Sequence, residues 1–153
     1  MLSRALAVST VVLVGLLAGG MVLIRILLVP FWRGAPPAEF RDWFAAHSGR
    51  IRALMLPLGA GAGVAAAASA VAEVVESRGS APAAAAAAGA TAGVVAITIT
   101  VNEPANSRFT GGGLTDDETA ELLGRWARWH DVRVVLGLAG TLAAALALTQ
   151  RDA

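Results

Sequence analysis

Four long apolar segments constrain the fold of this chain more than any other feature. They cover residues 5–29, 53–75, 81–101 and 132–149. Because about 20 helical residues cross the roughly 30 Å hydrocarbon layer of a bilayer, the first three are long enough to span it. The fourth is slightly short, so we expect its helix to begin earlier, near Asp117. We predict an all-α protein, a four-helix transmembrane bundle with two longer loops on one membrane side.

This bundle is expected to form a single integral membrane domain over residues 1–153, multi-pass in the cell membrane and surrounded by membrane lipid. A secretory signal is the alternative for the first segment, because Arg4 precedes an apolar run. The apolar region of a signal, however, is about 7–15 residues long and ends at a small-residue cleavage site. Here the run continues past Gly20 through Met21. We therefore expect a retained helix.

Small residues are concentrated in the apolar segments. Pairs of glycines four residues apart occur at Gly15/Gly19, Gly59/Gly63 and Gly89/Gly93. Such spacing lets membrane helices approach closely, so we expect packing seams there, and the same seams could join copies into a homo-oligomer. A compositional bias towards alanine and glycine is the simpler explanation, and the two are compatible. A soluble Ala-rich bundle is disfavoured by the length of the uncharged runs.

Composition excludes several classes of function. The chain has no cysteine and no lysine, so disulfides, thiolate metal ligands, cysteine nucleophiles and Schiff bases are excluded. Twelve arginines are nearly balanced by eleven acidic residues, which leaves no polybasic surface suited to nucleic acid.

The arginines do not settle the membrane orientation. Arg4, Arg78 and Arg151 lie on the side of the termini, whereas eight arginines lie in or beside the two long loops. The positive-inside rule places those loops in the cytoplasm, unless their arginines serve binding instead. The orientation stays open.

The first long loop, residues 30–52, interleaves aromatic and charged residues. It includes Trp32, Phe40, Trp43, Phe44 and His47. This pattern predicts an amphipathic interfacial helix, or more simply an aromatic belt with snorkelling arginines.

The second long loop, residues 102–131, contains a helix start. Thr115 and Glu118 have the spacing of a capping box. From there a helix can continue without proline into the fourth span, with Leu122, Trp126, Trp129, His130 and Arg133 on one face. If that face points into the bundle, it lines a pocket at one membrane surface.

The third span ends at a polar cluster. Pro104 cannot donate a backbone hydrogen bond and disfavours helix at Glu103, so we expect the helix to open near Asn102. Asn102 and Asn106 then either cap the opened backbone or line a polar cavity.

Two motifs in this region resemble those of a known family. Asn102, Pro104 and Asn106 form Asn-x-Pro-x-Asn, and about twenty residues later the sequence reads Trp-x-x-Trp-His-x-x-Arg, from Trp126 to Arg133. This combination resembles the anthrone oxygenase-like family of small four-helix membrane proteins. The resemblance implies oxidation of a lipophilic aromatic molecule, of the anthrone or quinone type, by dioxygen without a dedicated cofactor.

The residues are compatible with such chemistry. His130 is the candidate base, because imidazole titrates near neutral pH, and Arg133 is the candidate for stabilising an enolate oxygen. The predicted substrate-binding residues are Asn102, Pro104, Asn106, Arg108, Trp126, Trp129 and Trp32. Each also has a structural explanation: the tryptophans as a belt, and His130 and Arg133 as partners of Glu103 or Asp131.

Other functions stay open. A metal site built on His47 and His130 is disfavoured because no Glu-x-x-His or His-x-x-His pattern accompanies them. A non-enzymatic accessory subunit or lipophile-binding module is the alternative to an oxygenase. A transporter is less favoured, because only four spans are predicted.

Overall fold

The computed structural model describes residues 2–150, with side chains from Ser3 onward; Arg151, used in the orientation argument, lies outside this range. Six α-helices follow one another: α1 (Leu2–Leu23), α2 (Val29–Gly34), α3 (Pro37–Val75), α4 (Ala81–Ile97), α5 (Glu103–Gly111) and α6 (Asp116–Gln150). A π-helical turn, Ile24–Leu28, joins α1 to α2, and a second, Thr98–Asn102, joins α4 to α5. Within residues 2–150 there is no strand.

The two π-helical turns make four continuous helical rods out of six helices. Each rod is long and apolar enough to cross a membrane, over Ser3–Gly34, Pro37–Val75, Ala81–Gly111 and Asp116–Gln150. The prediction of an all-helical bundle with four potential spans is therefore confirmed. The fourth rod begins at Asp116, one residue before the expected start.

The rods pack in a ring that follows chain order. α1 packs on α3 and α6, and α4 packs on the same two helices. One hydrophobic core lies in the middle of the bundle, and a second, aromatic core lies at the end where α2 meets α3 and α5 meets α6. We call this the aromatic end. Its buried rings are Trp32, Phe40, Phe44, Phe109 and Trp126.

The two expected long loops are helical, which corrects the sequence interpretation. Residues 37–52 are the first turns of α3 rather than a separate interfacial helix, and residues 103–111 form α5. The chain reverses only briefly here, first after Gly34, where Ala35 is extended before a proline. The second reversal uses Gly112 and Gly113, whose φ angles of 77° and 83° favour glycine.

The predicted helix opening at Asn102 is wrong. The backbone stays helical through Pro104, because a π-helical turn precedes it and Pro104 lies in the first turn of α5. In a continuous helix a proline removes one hydrogen bond of the ladder, and the π-helical turn directly before Pro104 is where that ladder is already altered.

The capping box at the start of α6 is confirmed. The backbone N–H of Glu118 donates to Thr115 Oγ1 at 3.2 Å, and the N–H of Thr115 donates to Glu118 Oε2 at 2.8 Å. Two backbone donors at the helix start are thereby satisfied reciprocally.

Among the glycines, the tightest approach is at Gly137 on α6. Of the pairs singled out by spacing, Gly93 is also closely packed, because a Cβ added there would lie 3.1 Å from Leu136 Cδ1. A Cβ added at Gly137 would lie 2.6 Å from Met21 Cε and 3.4 Å from Ala18 Cα. A Cβ at Gly19 or Gly89 would meet nothing within 4 Å. Gly137 therefore sets the close packing of α1 against α6, which holds the Met21 backbone beside His130.

Candidate functional site

A cavity of about 220 Å³ lies between the aromatic end and the middle of the bundle. Its walls are mostly apolar and come from every rod. The polar side chains and ring N–H groups among its lining residues are Trp32, Ser48, Arg52, Thr98, Glu103, Asn106, Trp126, His130 and Arg133. A mainly apolar cavity with a few convergent polar groups is typical of small-molecule sites. Its volume lies just below the roughly 300–1,000 Å³ range of drug-sized ligands, so it suits a compact one.

Three of these polar residues line the cavity from one face of α6. Trp126, His130 and Arg133 recur at intervals of four and three, and all are buried. Trp129 does not join them: its side chain is 41% exposed and does not line the cavity. Consecutive helical residues lie about 100° apart, so Trp129 and His130 cannot both point inward, and the indole takes the outer surface.

His130 is fully buried and its ring is held on two sides. Its Nε2 lies 2.9 Å from the carbonyl oxygen of Met21, and its ring stacks on Trp126 with centroids 4.8 Å apart. A carbonyl can only accept, so Nε2 carries the proton and Nδ1 bears the lone pair of the neutral ring. Nδ1 is buried and makes no hydrogen bond to the protein. Nδ1 is therefore an unpaired base in a residue that lines the cavity.

Two buried donors accompany that base. Arg133 Nε and Trp32 Nε1 are both buried and make no hydrogen bond to the protein, and both residues line the cavity. Buried polar groups nearly always have partners, because leaving one unpaired costs about 1–3 kcal/mol. Three unpaired polar atoms around one cavity indicate a site that binds a polar group of a ligand.

A hydrogen-bonded chain fixes the polar wall beside the π-helical turn Thr98–Asn102. Arg52 Nε donates to Glu103 Oε2 at 2.9 Å, and Asn106 Nδ2 donates to Glu103 Oε1 at the same distance. Trp126 Nε1 donates to Asn106 Oδ1, also at 2.9 Å. Asn106 lines the cavity and couples α5 to α6.

Three other predicted substrate-binding residues do not line the cavity. Asn102 is buried behind its wall, with Nδ2 3.5 Å from the Trp126 carbonyl oxygen and with Oδ1 unpaired. Pro104 and Arg108 are exposed. The cause is the helix that continues through Pro104, because it turns these side chains to other faces of the rod. Asn102, in the π-helical turn, thus packs against α6, whereas Pro104 and Arg108 face outward.

Sequence reasoning missed Arg52 and the Met21 carbonyl. Arg52 is just over two helical turns beyond Phe44 on a helix that the sequence divided into loop and span. Met21 contributes a backbone carbonyl, which no side-chain motif can reveal. Met21 lies three residues before the π-helical turn Ile24–Leu28, and the ladder of helical hydrogen bonds is altered in such turns. π-Helical turns are frequent at functional sites, and both of these flank the cavity.

The structure does not bring the two histidines together in the cavity. His47 does not line it, and its Nδ1 donates to the carbonyl of Trp43 at 2.8 Å. Among residues 2–150, no three His, Asp or Glu side chains converge to hold a metal ion.

Comparison with known protein families gives a match. The model of the anthrone oxygenase family matches residues 40–143, which include α3 through most of α6 and the cavity residues Arg52, Glu103, Asn106, His130 and Arg133. Neither a curated protein nor a solved structure matches the chain. Because the match covers more than half of the sequence, the chain belongs to the anthrone oxygenase family.

Proposed function

We propose that this protein is an oxygenase of the cell membrane that oxidises a lipophilic aromatic substrate of the anthrone type with dioxygen. The observation that carries the proposal is the meeting of an unpaired base, His130 Nδ1, with two unpaired donors, Arg133 Nε and Trp32 Nε1, around one apolar cavity. The family match supports the reaction class. The fold alone would not support a reaction class, because one fold serves many functions.

The first step is proton abstraction. An anthrone carries an acidic hydrogen on the methylene carbon between its two aromatic rings. His130 Nδ1 takes this proton, and the electron pair moves into the ring system to give an enolate. Because Nε2–H is held by the Met21 carbonyl, the ring presents Nδ1 in a fixed tautomer.

The donors stabilise the charge that forms. The Nε–H of Arg133 and the Nε1–H of Trp32 have no protein acceptor, and in this proposal they donate to the enolate oxygen. Donors that meet a charge only as it develops in an apolar surrounding stabilise the transition state more than the ground state.

Dioxygen completes the reaction. The electron-rich carbon reduces it and forms a carbon–oxygen bond, giving a peroxide that takes back the proton from His130. Loss of the second methylene hydrogen then breaks the oxygen–oxygen bond and releases water. The balance is one anthrone and one dioxygen giving one anthraquinone and one water.

A lipophile-binding module without chemistry is the second candidate. The mainly apolar lining of the cavity favours it, because burial of apolar surface alone binds such ligands. In that case Arg133 and Trp32 would hold a ligand oxygen, and His130 Nδ1 would accept a ligand hydroxyl.

The decisive experiment measures conversion of anthrone to anthraquinone by the purified protein in detergent, with and without oxygen. Oxygen-dependent conversion above the spontaneous rate that is lost in His130→Ala and Arg133→Ala supports the oxygenase. Arg128→Gln is the matched control, because Arg128 is an exposed residue of the same helix. Tight binding of anthraquinone at background conversion rates would favour the binding module, and absence of both would reject the substrate class.

A further inference from the structure

The cavity has a side opening between α3 and α4. From residue 45 to residue 61, all described by the structure, no side chain of α3 is buried, whereas Phe44 and Ala62 on either side are. On the facing rod, none of residues 95–101 is buried, whereas Val94 and Asn102 are. Residues of both stretches line the cavity, among them Met55 on α3 and Thr98 on the facing rod.

The residues at this opening face both inward and outward. Leu56 on α3 is 47% exposed and Ile99, in the π-helical turn after α4, is 61% exposed, yet both line the cavity. Gly59 and Ala60 also line it and contribute almost no side chain. A residue that lines a cavity while being exposed marks its mouth. The exposed lining residues Leu56, Ala60 and Ile99 are apolar and lie within two segments that are apolar enough to span a membrane. Arg52, which is also exposed and lines the cavity, borders them on the side of the aromatic end.

At the aromatic end, in contrast, the ring of Trp32 lies between the cavity and a second pocket of about 110 Å³, since Trp32 lines both. Trp32, Phe40 and Phe44 are 1–3% exposed and pack ring against ring, with centroids 5.4–5.8 Å apart. Between this end and the opening, the ion pair from Arg52 to Glu103 ties α3 to α5. A route into the cavity from the aromatic end therefore passes packed rings and the Arg52–Glu103 ion pair. A route between α3 and α4 passes the apolar side chains of Leu56, Ala60 and Ile99.

From this contrast we infer that the ligand enters the cavity sideways from the hydrocarbon layer, through the opening between α3 and α4 bounded by Leu56, Gly59, Ala60 and Ile99. A ligand using this path slides between the rods and presents its polar end to His130 and Arg133. The inference deepens the proposed function by assigning the substrate to the membrane-dissolved pool. It does not require that the ligand be an anthrone.

The test uses thiol labelling, because the chain has no cysteine and gives no background. Leu17 is buried on α1 and lines the cavity, so Leu17→Cys places one thiol inside it. In vesicles, the labelling rate with lipid-soluble N-phenylmaleimide is normalised to Leu142→Cys, an exposed position in the apolar part of α6. The rate with a charged, membrane-impermeant methanethiosulfonate is normalised to Ser107→Cys, an exposed position on α5.

We expect the lipid-soluble reagent alone to label Leu17→Cys, and the added Ile99→Trp to slow it about tenfold or more by filling the opening. Leu138→Trp, exposed on α6, is the matched control and should leave the rate unchanged. Labelling by the charged reagent, no labelling by either reagent, or equal rates in Ile99→Trp and Leu138→Trp would overturn the inference. Since no turnover is measured, failure here is distinct from failure of the oxygenase proposal.

Discussion

The imidazole of His130 lies nearly parallel to the indole of Trp126, with 13° between the ring planes and 4.8 Å between the centroids. The same indole donates to Asn106, and the same imidazole donates to the Met21 carbonyl. Three rods thus hold the ring of His130 in one orientation. In that orientation Nε2 is paired with the Met21 carbonyl and Nδ1 is unpaired. Changes to the contacts around this ring, or to the helices that hold it, should therefore alter activity or stability.

Replacing His130 by Ala should lower turnover by about 10²–10⁴-fold, which is the usual contribution of a positioned acid or base. Free imidazole, added to the variant, should restore part of the rate by entering the space left by the ring. The measurement is the initial rate of oxygen uptake with anthrone. Full activity in His130→Ala would remove the base assignment, and Arg128→Gln controls for general effects of mutating α6.

Trp32→Phe should keep the aromatic packing but remove the unpaired Nε1–H. If this group stabilises the enolate oxygen, kcat should fall about tenfold or more with little change in Tm. Trp43→Phe is the matched control, because Trp43 packs on Trp32 but does not line the cavity. Equal kcat values in the two variants would contradict the donor role.

Asn106→Leu should loosen Trp126. The indole N–H loses its only acceptor in a partly buried place, at a cost of about 1–3 kcal/mol in the free energy of unfolding. We expect a lower Tm in detergent and a change in tryptophan emission. Ser107→Ala, at the exposed neighbouring position, should change neither quantity; a similar loss there would point to a general weakening of α5.

Gly137→Leu should destabilise the bundle. Even a Cβ at this position would lie 2.6 Å from Met21 Cε, and a larger side chain would push α1 away from α6 at a cost of about 1–3 kcal/mol. Thermal unfolding in detergent measures this. Gly89→Leu, where a Cβ meets nothing within 4 Å, should be nearly neutral. If both variants unfold at the same temperature, close packing at Gly137 is not limiting.

Thr115→Ala should lower Tm by about 2–4 °C, because an N-cap of α6 is lost. The added Glu118→Ala should then have a smaller effect than it has alone, since the two side chains bond reciprocally. Thr110→Ala serves as the control in the preceding helix. Strictly additive effects would show that the two residues act independently.

Much of the secondary structure of this protein could be predicted from interactions between residues close in sequence. Apolar segment lengths predicted the four potential spans, and the Thr115 and Glu118 spacing predicted the start of α6. Helical periodicity placed Leu122, Trp126, Trp129, His130 and Arg133 on one face, and all but the exposed Trp129 are buried. These features depend on residues within a few turns of one another, so no distant contact could change them.

Tertiary structure decided the rest. The local pattern does not show that α3 continues from Pro37 to Val75, or that the helix continues through Pro104 after a π-helical turn. It also does not show that His130 points inward while Trp129 points outward. Those outcomes depend on which rod packs against which. The pairing of His130 with a backbone carbonyl 109 residues earlier is the clearest case. The sequence by itself determined a bundle of apolar helices with a polar stripe on α6. Only the packing of the rods, set by close contacts such as Gly137 on Met21, decided which atoms of that stripe are left unpaired around a cavity.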